Sequence, residues 1–509
     1  FVSLNCYCNK ETEKLGEKSI KKNIIMSTLL TVSNCVFPLL TYSYVARVLG
    51  PIGTGKVAFV TSVLQYFGYI ATLGIPAYGL RECAKVRNDK EKLSGLVYEL
   101  FVINLCATIV AYILLFIGVA FYPKFYEYRY LFAVQSITII LTSIGFEWLY
   151  QSLEEYEYIT KRSLLFKTIS VALTFLLIRN SEDYLWYGFV TVFASAANYI
   201  CNFLNVRKYI SFKGQVSEKH DFKKHLKPIF VLFSASVMIT IYSNFDVVMI
   251  GILDSEKAVG LYNAALKIKN LVLALSTAVT SVLIPRITFY IKNKNESKVV
   301  TLLEKSLRIT LVLAIPLSIF IMFNVKPLLL FFCGREYLDA SNTLVILSVC
   351  IIVLCITNIF GNQILIPHEN ENRYSQSIFV GLWINLILNF LLIPSLGAFG
   401  AAIGTLITEV WNAIWMGIGC KKYIAELLRR IKAYNYFFAI AVACVVEIFT
   451  GQLLSVNNIF FYLATQTIVF FGLYYIILWI LKDPIINEGY NAVREKTSSF
   501  LRFCNKRGK

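Results

Sequence analysis

Three charged residues that interrupt long apolar stretches are the side chains best placed for chemistry in this sequence. Asp246 and Lys267 fall at similar depths in two consecutive stretches, which predicts a pair of opposite charges across one hairpin. Glu409 lies close to the middle of a later stretch. An ionisable group inside a bilayer is costly unless it faces a partner or water, so we expect these residues to border a polar cavity. Asp246 and Glu409 are also the candidate carboxylates for coupling to an ion or a proton.

A polar face on the helix that carries Lys267 supports the cavity hypothesis. Asn263, Lys267 and Asn270 follow one another at spacings of four and three residues, which places them on one side of a helix. Lys269 points to another side, so one lysine is expected in the cavity. Two alternatives stay open for Lys267, because it can form a purely structural ion pair or extend toward the lipid headgroups. For Glu409 the alternative is a protonated acid that bonds to a neighbouring helix.

The chain has few residues that could support metal binding or nucleophilic chemistry. It has 3 His and 12 Cys, and many of the cysteines lie inside apolar stretches. Cys6 and Cys8 have no second pair at zinc spacing. His220 and His225 lie in a Lys-rich segment that we expect to be a solvated loop. The sequence therefore predicts no catalytic residue, no metal site and no cofactor, apart from a coupling H⁺ or Na⁺.

The elements that must position these residues are membrane-spanning helices. Hydrophobic types make up 57% of the 509 residues, charged types make up 16%, and the mean hydropathy is +0.63. A soluble domain is about one quarter charged, so the composition argues against a soluble enzyme and excludes an unfolded chain. Runs of about 20 apolar residues predict an all-α polytopic membrane protein of about 14 transmembrane helices. The predicted spans are 23–48, 57–80, 96–122, 130–151, 163–178, 184–206, 228–251, 258–290, 309–331, 340–366, 374–394, 398–419, 433–454 and 459–481.

The distribution of Lys and Arg tests this set of spans and orients it. The net charge is +18, from 49 Lys and Arg against 31 Asp and Glu. If the N-terminus is cytoplasmic, 37 of the 49 basic residues fall in cytoplasmic segments, whereas the external loops hold 6. Cytoplasmic loops of membrane proteins carry such an excess, so the charge reports topology and not nucleic-acid binding. We predict that both termini are cytoplasmic and that the external loops are too short to form a domain.

An internal duplication divides the predicted helices into two lobes around a central cavity. Spans 4 and 10 both run into an acidic turn, in the segments 146–156 and 360–370. Spans 1 and 7 are each followed by a turn and a glycine that opens the next span, Gly55 and Gly260. A shift of six spans preserves orientation, which predicts a parallel repeat of two six-helix lobes. The predicted segments are an N-terminal cytoplasmic segment 1–22, an N-lobe 23–206, a basic inter-lobe loop 207–227, a C-lobe 228–419, two further helices within 433–481 and a basic cytoplasmic tail 482–509.

Several motifs, spread over residues 20–420, carry a resemblance to a known family. They are Arg47-Val48-Leu49-Gly50-Pro51, Trp148-Leu149-Tyr150-Gln151, Val259-Gly260-Leu261-Tyr262-Asn263, Leu283-Ile284-Pro285-Arg286, Gly361-Asn362-Gln363, the segment from Asn385 to Asn389, and Gly397-Ala398-Phe399-Gly400-Ala401. In this order the chain resembles the Wzx-type polysaccharide flippases. That family belongs to the multidrug/oligosaccharidyl-lipid/polysaccharide exporter superfamily, together with MATE exporters and lipid II flippases.

The resemblance implies a secondary transporter and not an enzyme. Its fold would be two six-helix lobes facing a central cavity. It would move undecaprenyl-diphosphate-linked oligosaccharide repeat units across the bacterial cytoplasmic membrane by alternating access, for O-antigen or capsule biosynthesis. Implied partners are this substrate, membrane lipids, and polymerase and chain-length proteins of the same pathway, with no nucleic acid. A MATE-like exporter of small organic molecules is the alternative, and the short external loops disfavour a membrane-embedded polysaccharide polymerase.

The same resemblance suggests roles for polar residues near helix ends. Arg81 and Arg286 would lie near the inner mouth, where a guanidinium can bind a diphosphate through two hydrogen bonds. Arg47 lies at the outer end of the first span. For the arginines, the alternative is topology or headgroup binding. Glu147 and Gln151 lie one turn apart, where they can bond sugar hydroxyls or gate the cavity, or instead form a cap network at a helix end.

Overall fold

The computed structural model describes residues 20–211, 220–453, 458–488, 490–491 and 494. Every regular element within these ranges is a helix. Ten of the described helices are long and apolar enough to cross a membrane, and each of the 14 predicted spans overlaps a described helix. Cys6 and Cys8, most of the predicted segment 1–22, part of the loop 207–227 and most of the tail 482–509 lie outside the described residues.

The first half of the chain forms the N-lobe, whose helices we number α1 to α8. They are α1 (Ile20–Thr72), α2 (Ile75–Val86), α3 (Lys90–Phe121), α4 (Pro123–Glu127), α5 (Arg129–Ile144), α6 (Glu147–Ser152), α7 (Tyr156–Leu177) and α8 (Tyr184–Asn205).

The second half forms the C-lobe and two added helices, which we number α9 to α18. They are α9 (Lys223–Leu253), α10 (Glu256–Ser281), α11 (Ile284–Lys292), α12 (Glu296–Phe323), α13 (Val325–Phe332), α14 (Ser341–Asn358), α15 (Glu371–Gly419), α16 (Lys421–Arg430), α17 (Ala433–Leu453) and α18 (Ile459–Ile480).

Spans 1 and 2 share the single element α1, because the turn between them is one glycine and not a loop. Gly50 has a φ of 62°, a left-handed value that favours glycine. Pro51 then opens the second segment, 51–72, at a position where its missing N–H is not needed. Gly397, with a φ of 55°, makes the same sharp turn between spans 11 and 12 within α15.

The two lobes are interrupted at matching positions. Span 2 breaks at Gly74, with a φ of 75°, and its counterpart, span 8, breaks between α10 and α11. Span 4 breaks at Phe146, and its counterpart, span 10, ends in a π-helix at Ile359–Leu365. The acidic turns that follow contain Glu154 and Glu369, whose φ values are 57° and 59°. These matches support the six-span repeat predicted from the sequence.

The lobes pack against each other through the second segment of α1 and helix α10. Phe59 and Val60 on α1 belong to the same buried apolar cluster as Tyr262 and Ala265 on α10. Many large apolar side chains on the outer surface are exposed, as expected for helices that face lipid. The apolar core therefore joins the lobes, and polar groups between them require a separate explanation.

The added helices α17 and α18 pack on the outside of the C-lobe. Tyr436, Phe470 and Tyr474 form an apolar cluster with Val312 of α12. The Asn324 amide donates a hydrogen bond to the buried carboxylate of Glu447 on α17. The added pair thus has its own polar contact, on a different side of the C-lobe from the N-lobe.

Candidate functional site

A polar cavity of about 590 Å³, the central cavity, lies between the lobes. The second segment of α1 and helix α8 border it from the N-lobe, and α9, α10, α14 and α15 border it from the C-lobe. The volume falls within the range of about 300–1,000 Å³ that is typical of ligand sites. The polar residues that line it include Thr54, Thr61, Ser62, Gln65, Thr191, Asn244, Asp246, Asn263, Lys267, Lys269, Asn270, Asn385, Thr405 and Glu409.

Asp246 of α9 is buried and accepts hydrogen bonds on both carboxylate oxygens. Oδ2 accepts from the hydroxyls of Tyr262, at 2.6 Å, and Thr405, at 2.7 Å. Oδ1 accepts from the amides of Asn389, at 2.6 Å, and Asn385, at 3.1 Å. Neutral donors from α10 and from both segments of α15 therefore hold this carboxylate in the C-lobe wall.

The predicted pairing of Asp246 with Lys267 is wrong. Within the described ranges, the polar partners of the Asp246 carboxylate are the neutral donors above, and no ion pair within 4.0 Å includes it. Lys267 instead faces the N-lobe, where its Nζ lies 5.8 Å from the centre of the Tyr42 ring. Tyr262, five residues earlier on the same helix, occupies the position beside Asp246.

The polar stripe on α10 lines the central cavity. Asn263, Lys267 and Asn270 all border it, as their spacing predicts. Lys269 borders it as well, and the expectation of a single lysine there is wrong. The cavity wraps around more than one side of α10, so a long side chain two residues further along also reaches it. The cavity therefore contains two lysines.

Glu409 lies in the wall of the cavity on the second segment of α15. It is 3% exposed, and it borders the central cavity. Its position fits both the cavity role and the bond to a neighbouring helix.

Sequence reasoning missed three residues that build the site around Asp246. Asn385 and Asn389 lie four residues apart on the first segment of α15, and this spacing inside an apolar stretch was the available signal. Thr405 comes from the second segment. Gly404 lets the segments approach closely, because a Cβ atom there would lie 2.7 Å from Asn389 Oδ1.

The lobes are in contact at one end of the central cavity, which we call the outer end. It lies opposite the end of the helices that carries the Lys- and Arg-rich loops, which we call the basic end. The backbones of α1 and α10 meet there at Gly55 and Gly260. Among the described residues, side-chain hydrogen bonds also join the lobes at this end, namely Thr54 to Tyr337 at 2.7 Å, Tyr128 to Glu256 at 2.6 Å, and the Arg47 guanidinium to the Phe331 carbonyl. Arg47 thus belongs to this closure, away from the lining of the central cavity.

At the basic end, a buried cluster joins the start of α9 to the N-lobe. His225 Nε2 lies 2.7 Å from a carboxylate oxygen of Glu99 on α3, and His225 Nδ1 lies 2.8 Å from the Tyr78 hydroxyl on α2. His220 and Lys224 contact the same carboxylate, at 3.3 and 3.0 Å. The expectation that His220 and His225 lie in a solvated loop is therefore wrong, since both are engaged by Glu99 and the His225 side chain is 3% exposed.

The remaining predicted site residues lie outside the lining of the central cavity. Arg81 is exposed on α2 and pairs with Glu82 at 2.9 Å, and Arg286 is exposed on α11. Glu147 is partly buried on α6. Gln151 is partly buried one turn further on. The structure thus brings together Asp246 and the polar residues of α10 and α15, but not this second group.

The fold and the cavity define a class of protein. Spanning helices in two lobes that enclose a polar cavity are the architecture of a multi-pass membrane transporter. A family model described as polysaccharide biosynthesis protein matches residues 20–291, which is more than half of the chain. The chain belongs to this polysaccharide biosynthesis protein family. A second model, described as MatE, matches residues 232–391.

Related proteins of known name are similar over most of their length. The provisionally named O-antigen transporter of Escherichia coli (strain K12) is 24% identical over 394 residues, which covers 77% of this chain and 94% of the relative. The protein of the same name from Shigella dysenteriae is 23% identical over 399 residues, covering 78% and 99%.

Solved structures show the same fold. The lipid II flippase MurJ, in an inward closed conformation, superposes with a TM-score of 0.63 at 17% identity, covering 91% of this chain and 100% of that one. A MATE family multidrug transporter in an inward-facing conformation superposes with a TM-score of 0.56 at 15% identity, covering 79% and 99%.

Proposed function

We propose that this protein is a flippase for undecaprenyl-diphosphate-linked oligosaccharide repeat units of O-antigen or capsule, in the bacterial cytoplasmic membrane. The observation that carries the proposal is the central cavity, which places Lys267 and Lys269 between the two lobes, together with neutral polar groups and the carboxyl groups of Asp246 and Glu409. The printed names of the relatives support the same class of cargo. Polymerase and chain-length proteins are the expected users of the delivered units.

The cavity offers the cargo what the lipid interior lacks. A diphosphate and a set of sugar hydroxyls cross hydrocarbon slowly, because both must lose their hydration. Lysine ammonium groups attract the diphosphate, and the amides and hydroxyls of the lining replace water around the sugar. The undecaprenyl chain stays in the lipid, so only the head of the molecule enters the protein.

The direction of opening follows from the charge distribution. In this proposal the basic end is cytoplasmic, as are both termini, and the outer end faces the opposite side of the membrane. The contacts at Gly55 and Gly260 then close the cavity on that opposite side. Alternating access requires these contacts to separate.

Asp246 is the leading candidate for coupling to an ion gradient. The buried Asn389 Oδ1 has no hydrogen-bond partner among the described residues, so it and the Asp246 carboxylate offer oxygen ligands to a small cation such as Na⁺. Binding of a proton would need only the Asp246 carboxylate. Glu409 is the second candidate, because it is a buried carboxyl in the same cavity wall. A sodium gradient and a pH gradient, imposed separately at a fixed membrane potential, distinguish the two ions.

The test is transport by the purified protein in liposomes that contain a labelled undecaprenyl-diphosphate oligosaccharide. We expect replacement of both Lys267 and Lys269 by Met to slow flipping at least tenfold, because the diphosphate loses its cationic partners. Lys161→Met is the matched control, since this lysine lies on the surface of α7 with its side chain 70% exposed. Wild-type flipping by the double lysine variant would remove the basis of the proposal.

Export of small organic molecules is the second candidate function. The MatE match and the MATE structure favour it. Organic cations, however, need a net negative cavity, and here Lys267 and Lys269 balance Asp246 and Glu409. Efflux of ethidium from the same liposomes, without flipping of the lipid-linked oligosaccharide, would support the exporter instead.

A further inference from the structure

A second cavity, of about 520 Å³, lies inside the N-lobe, and we call it the N-lobe chamber. Helices α1, α5 and α8 present polar residues to it at helical spacing, and Pro76 of α2 adds to the lining. These include Thr61 and Gln65 on α1, Gln135 and Thr142 on α5, and Thr191 and Tyr199 on α8. All of the described residues that line the chamber are uncharged.

The N-lobe chamber and the central cavity are neighbours. Thr61, Gln65 and Thr191 border both of them. The two spaces differ, because the C-lobe side of the central cavity contains two lysines and two carboxyl groups, whereas the lining of the chamber is neutral. A ligand with an anionic part at the lysines and a neutral part in the chamber therefore passes these three shared residues.

The hydroxyl groups of the chamber are set up as hydrogen-bond acceptors. Thr61, Thr142 and Thr191 each donate to a carbonyl of their own helix, at 2.7 Å. Each hydroxyl oxygen then retains a lone pair to accept a further hydrogen bond, although Thr191 already accepts one from Gln135 Nε2 at 3.4 Å. The amide of Gln65, which is exposed at the border of both spaces, offers donors as well as an acceptor. Such a mixture complements sugar hydroxyls, which both donate and accept.

Polar side chains at this depth also need a reason to be there. Inside a span they usually face a partner or a ligand pathway, because exposure to lipid is costly. The volume of the chamber falls within the range of ligand sites, and Tyr199 and Tyr69 add aromatic surface to the polar wall.

We propose that the N-lobe chamber binds uncharged sugar units of the lipid-linked oligosaccharide. This inference rests on the proposed flippase function and assigns the parts of its cargo to different lobes, with the diphosphate at the lysines and neutral sugars in the chamber. A uronic acid would bring a carboxylate into a space without a cation. The chamber thus selects neutral sugars. A ligand that does not match its hydrogen-bonding groups would leave those groups unpaired.

The experiment compares the affinity of the purified, full-length protein in detergent for four synthetic lipids. The probes are undecaprenyl diphosphate itself and the same lipid carrying glucose, N-acetylglucosamine or glucuronic acid. We expect at least one neutral sugar to increase the affinity about tenfold over the bare lipid and glucuronic acid not to do so. Thr142→Val and Ser195→Ala, which line the chamber but not the central cavity, should each remove at least about fivefold of that gain and leave the affinity for bare undecaprenyl diphosphate unchanged.

Two controls separate failure of this assignment from failure of the flippase proposal. Thr168→Val removes a hydroxyl that likewise bonds its own helix, but it is exposed on α7 outside the chamber lining, so the sugar gain should remain. Lys267→Met should weaken binding of every lipid. If wild-type protein binds none of the lipids, the flippase proposal itself is wrong. If neither neutral sugar increases the affinity, or the gain survives in both chamber variants, the chamber is not the sugar site.

Discussion

Gly55 and Gly260 face each other where the lobes meet, and neither position has room for a side chain. A Cβ atom at Gly55 would lie 1.9 Å from the Glu256 carbonyl oxygen, and one at Gly260 would lie 1.9 Å from the Pro51 carbonyl oxygen. Each glycine thus contacts the backbone at the start of the partner helix. Gly55 and Gly260 occupy equivalent positions in the two halves of the repeat, so the contact is nearly symmetric between the lobes.

Alanine at Gly260 is predicted to prevent closure of the outer end. The obstacle is a backbone oxygen, which cannot move aside as a flexible side chain can, so α1 and α10 must separate. We expect flipping to fall at least tenfold. We also expect Lys267 to react faster with a membrane-impermeant amine reagent from the outer side, as measured by mass spectrometry. Gly472→Ala is the control, because a Cβ there has no atom within 4 Å. Equal labelling of the two variants would show that the glycine contact does not close the cavity.

Tyr262→Phe is predicted to change the ion dependence of transport. The variant removes the hydroxyl that donates to Asp246 at 2.6 Å and keeps the ring, so the carboxylate loses one of its four neutral donors. We expect the ion or proton concentration for half-maximal flipping to shift severalfold. The thermal unfolding temperature should fall as well, since a hydrogen bond to a charged group contributes about 1.5–3 kcal/mol.

The matched control is Tyr112→Phe, whose hydroxyl donates to the Ser136 carbonyl at 2.7 Å within the N-lobe. This variant should lose stability without a change in ion dependence. An identical response of both tyrosine variants would show that Asp246 does not take part in coupling to an ion or a proton.

Glu99→Gln is predicted to loosen the start of α9. The carboxylate is the shared partner of His225, His220 and Lys224, and its replacement leaves buried polar groups poorly matched. We expect about 1–3 kcal/mol less stability, together with faster amide hydrogen exchange over residues 223–233. Glu91→Gln, on an exposed turn of α3, the helix that also carries Glu99, should change neither the stability nor the exchange rate. Unchanged exchange in Glu99→Gln would show that the cluster does not hold α9.

Glu447→Gln is predicted to leave transport intact. This carboxylate is buried within the membrane part of the protein, but it contacts Asn324 on the side of the C-lobe that carries α17 and α18. The variant therefore tests whether burial of a charge is enough to predict function. We expect a modest loss of stability in detergent and wild-type flipping rates. A tenfold loss of flipping would extend the functional region to the added helices.

The sequence predicted features that depend on one helix at a time. Asn263, Lys267 and Asn270 share a face because helical periodicity is local, and the structure places all three in the central cavity. Depth along a span could not predict that Asp246 and Lys267 turn away from each other, because pairing also depends on the rotation of each helix.

Features that depend on contacts between distant segments were beyond the sequence. His225 looked like part of a solvated loop, because nothing nearby in the chain indicates that Glu99 would be its partner. The partners of Asp246 on α15 are also more than a hundred residues away. Their signal, two asparagines one turn apart, became interpretable only once the fold had placed them beside a carboxylate.

Helix α9 is anchored to a different lobe at each end. Near the basic end it packs on α2, where a Cβ at Gly74 would lie 2.8 Å from the Phe233 backbone nitrogen, and His225 adds its bond to Tyr78. Near the outer end it holds Asp246 against α15. Helix α9 therefore connects the two lobes, because it contacts the N-lobe near the basic end and α15 of the C-lobe near the outer end. Rocking of the lobes would act on both sets of contacts, so we expect the hydrogen bonds of Asp246 and the contacts of His225 to be thermodynamically linked, each biasing the other by the same free energy.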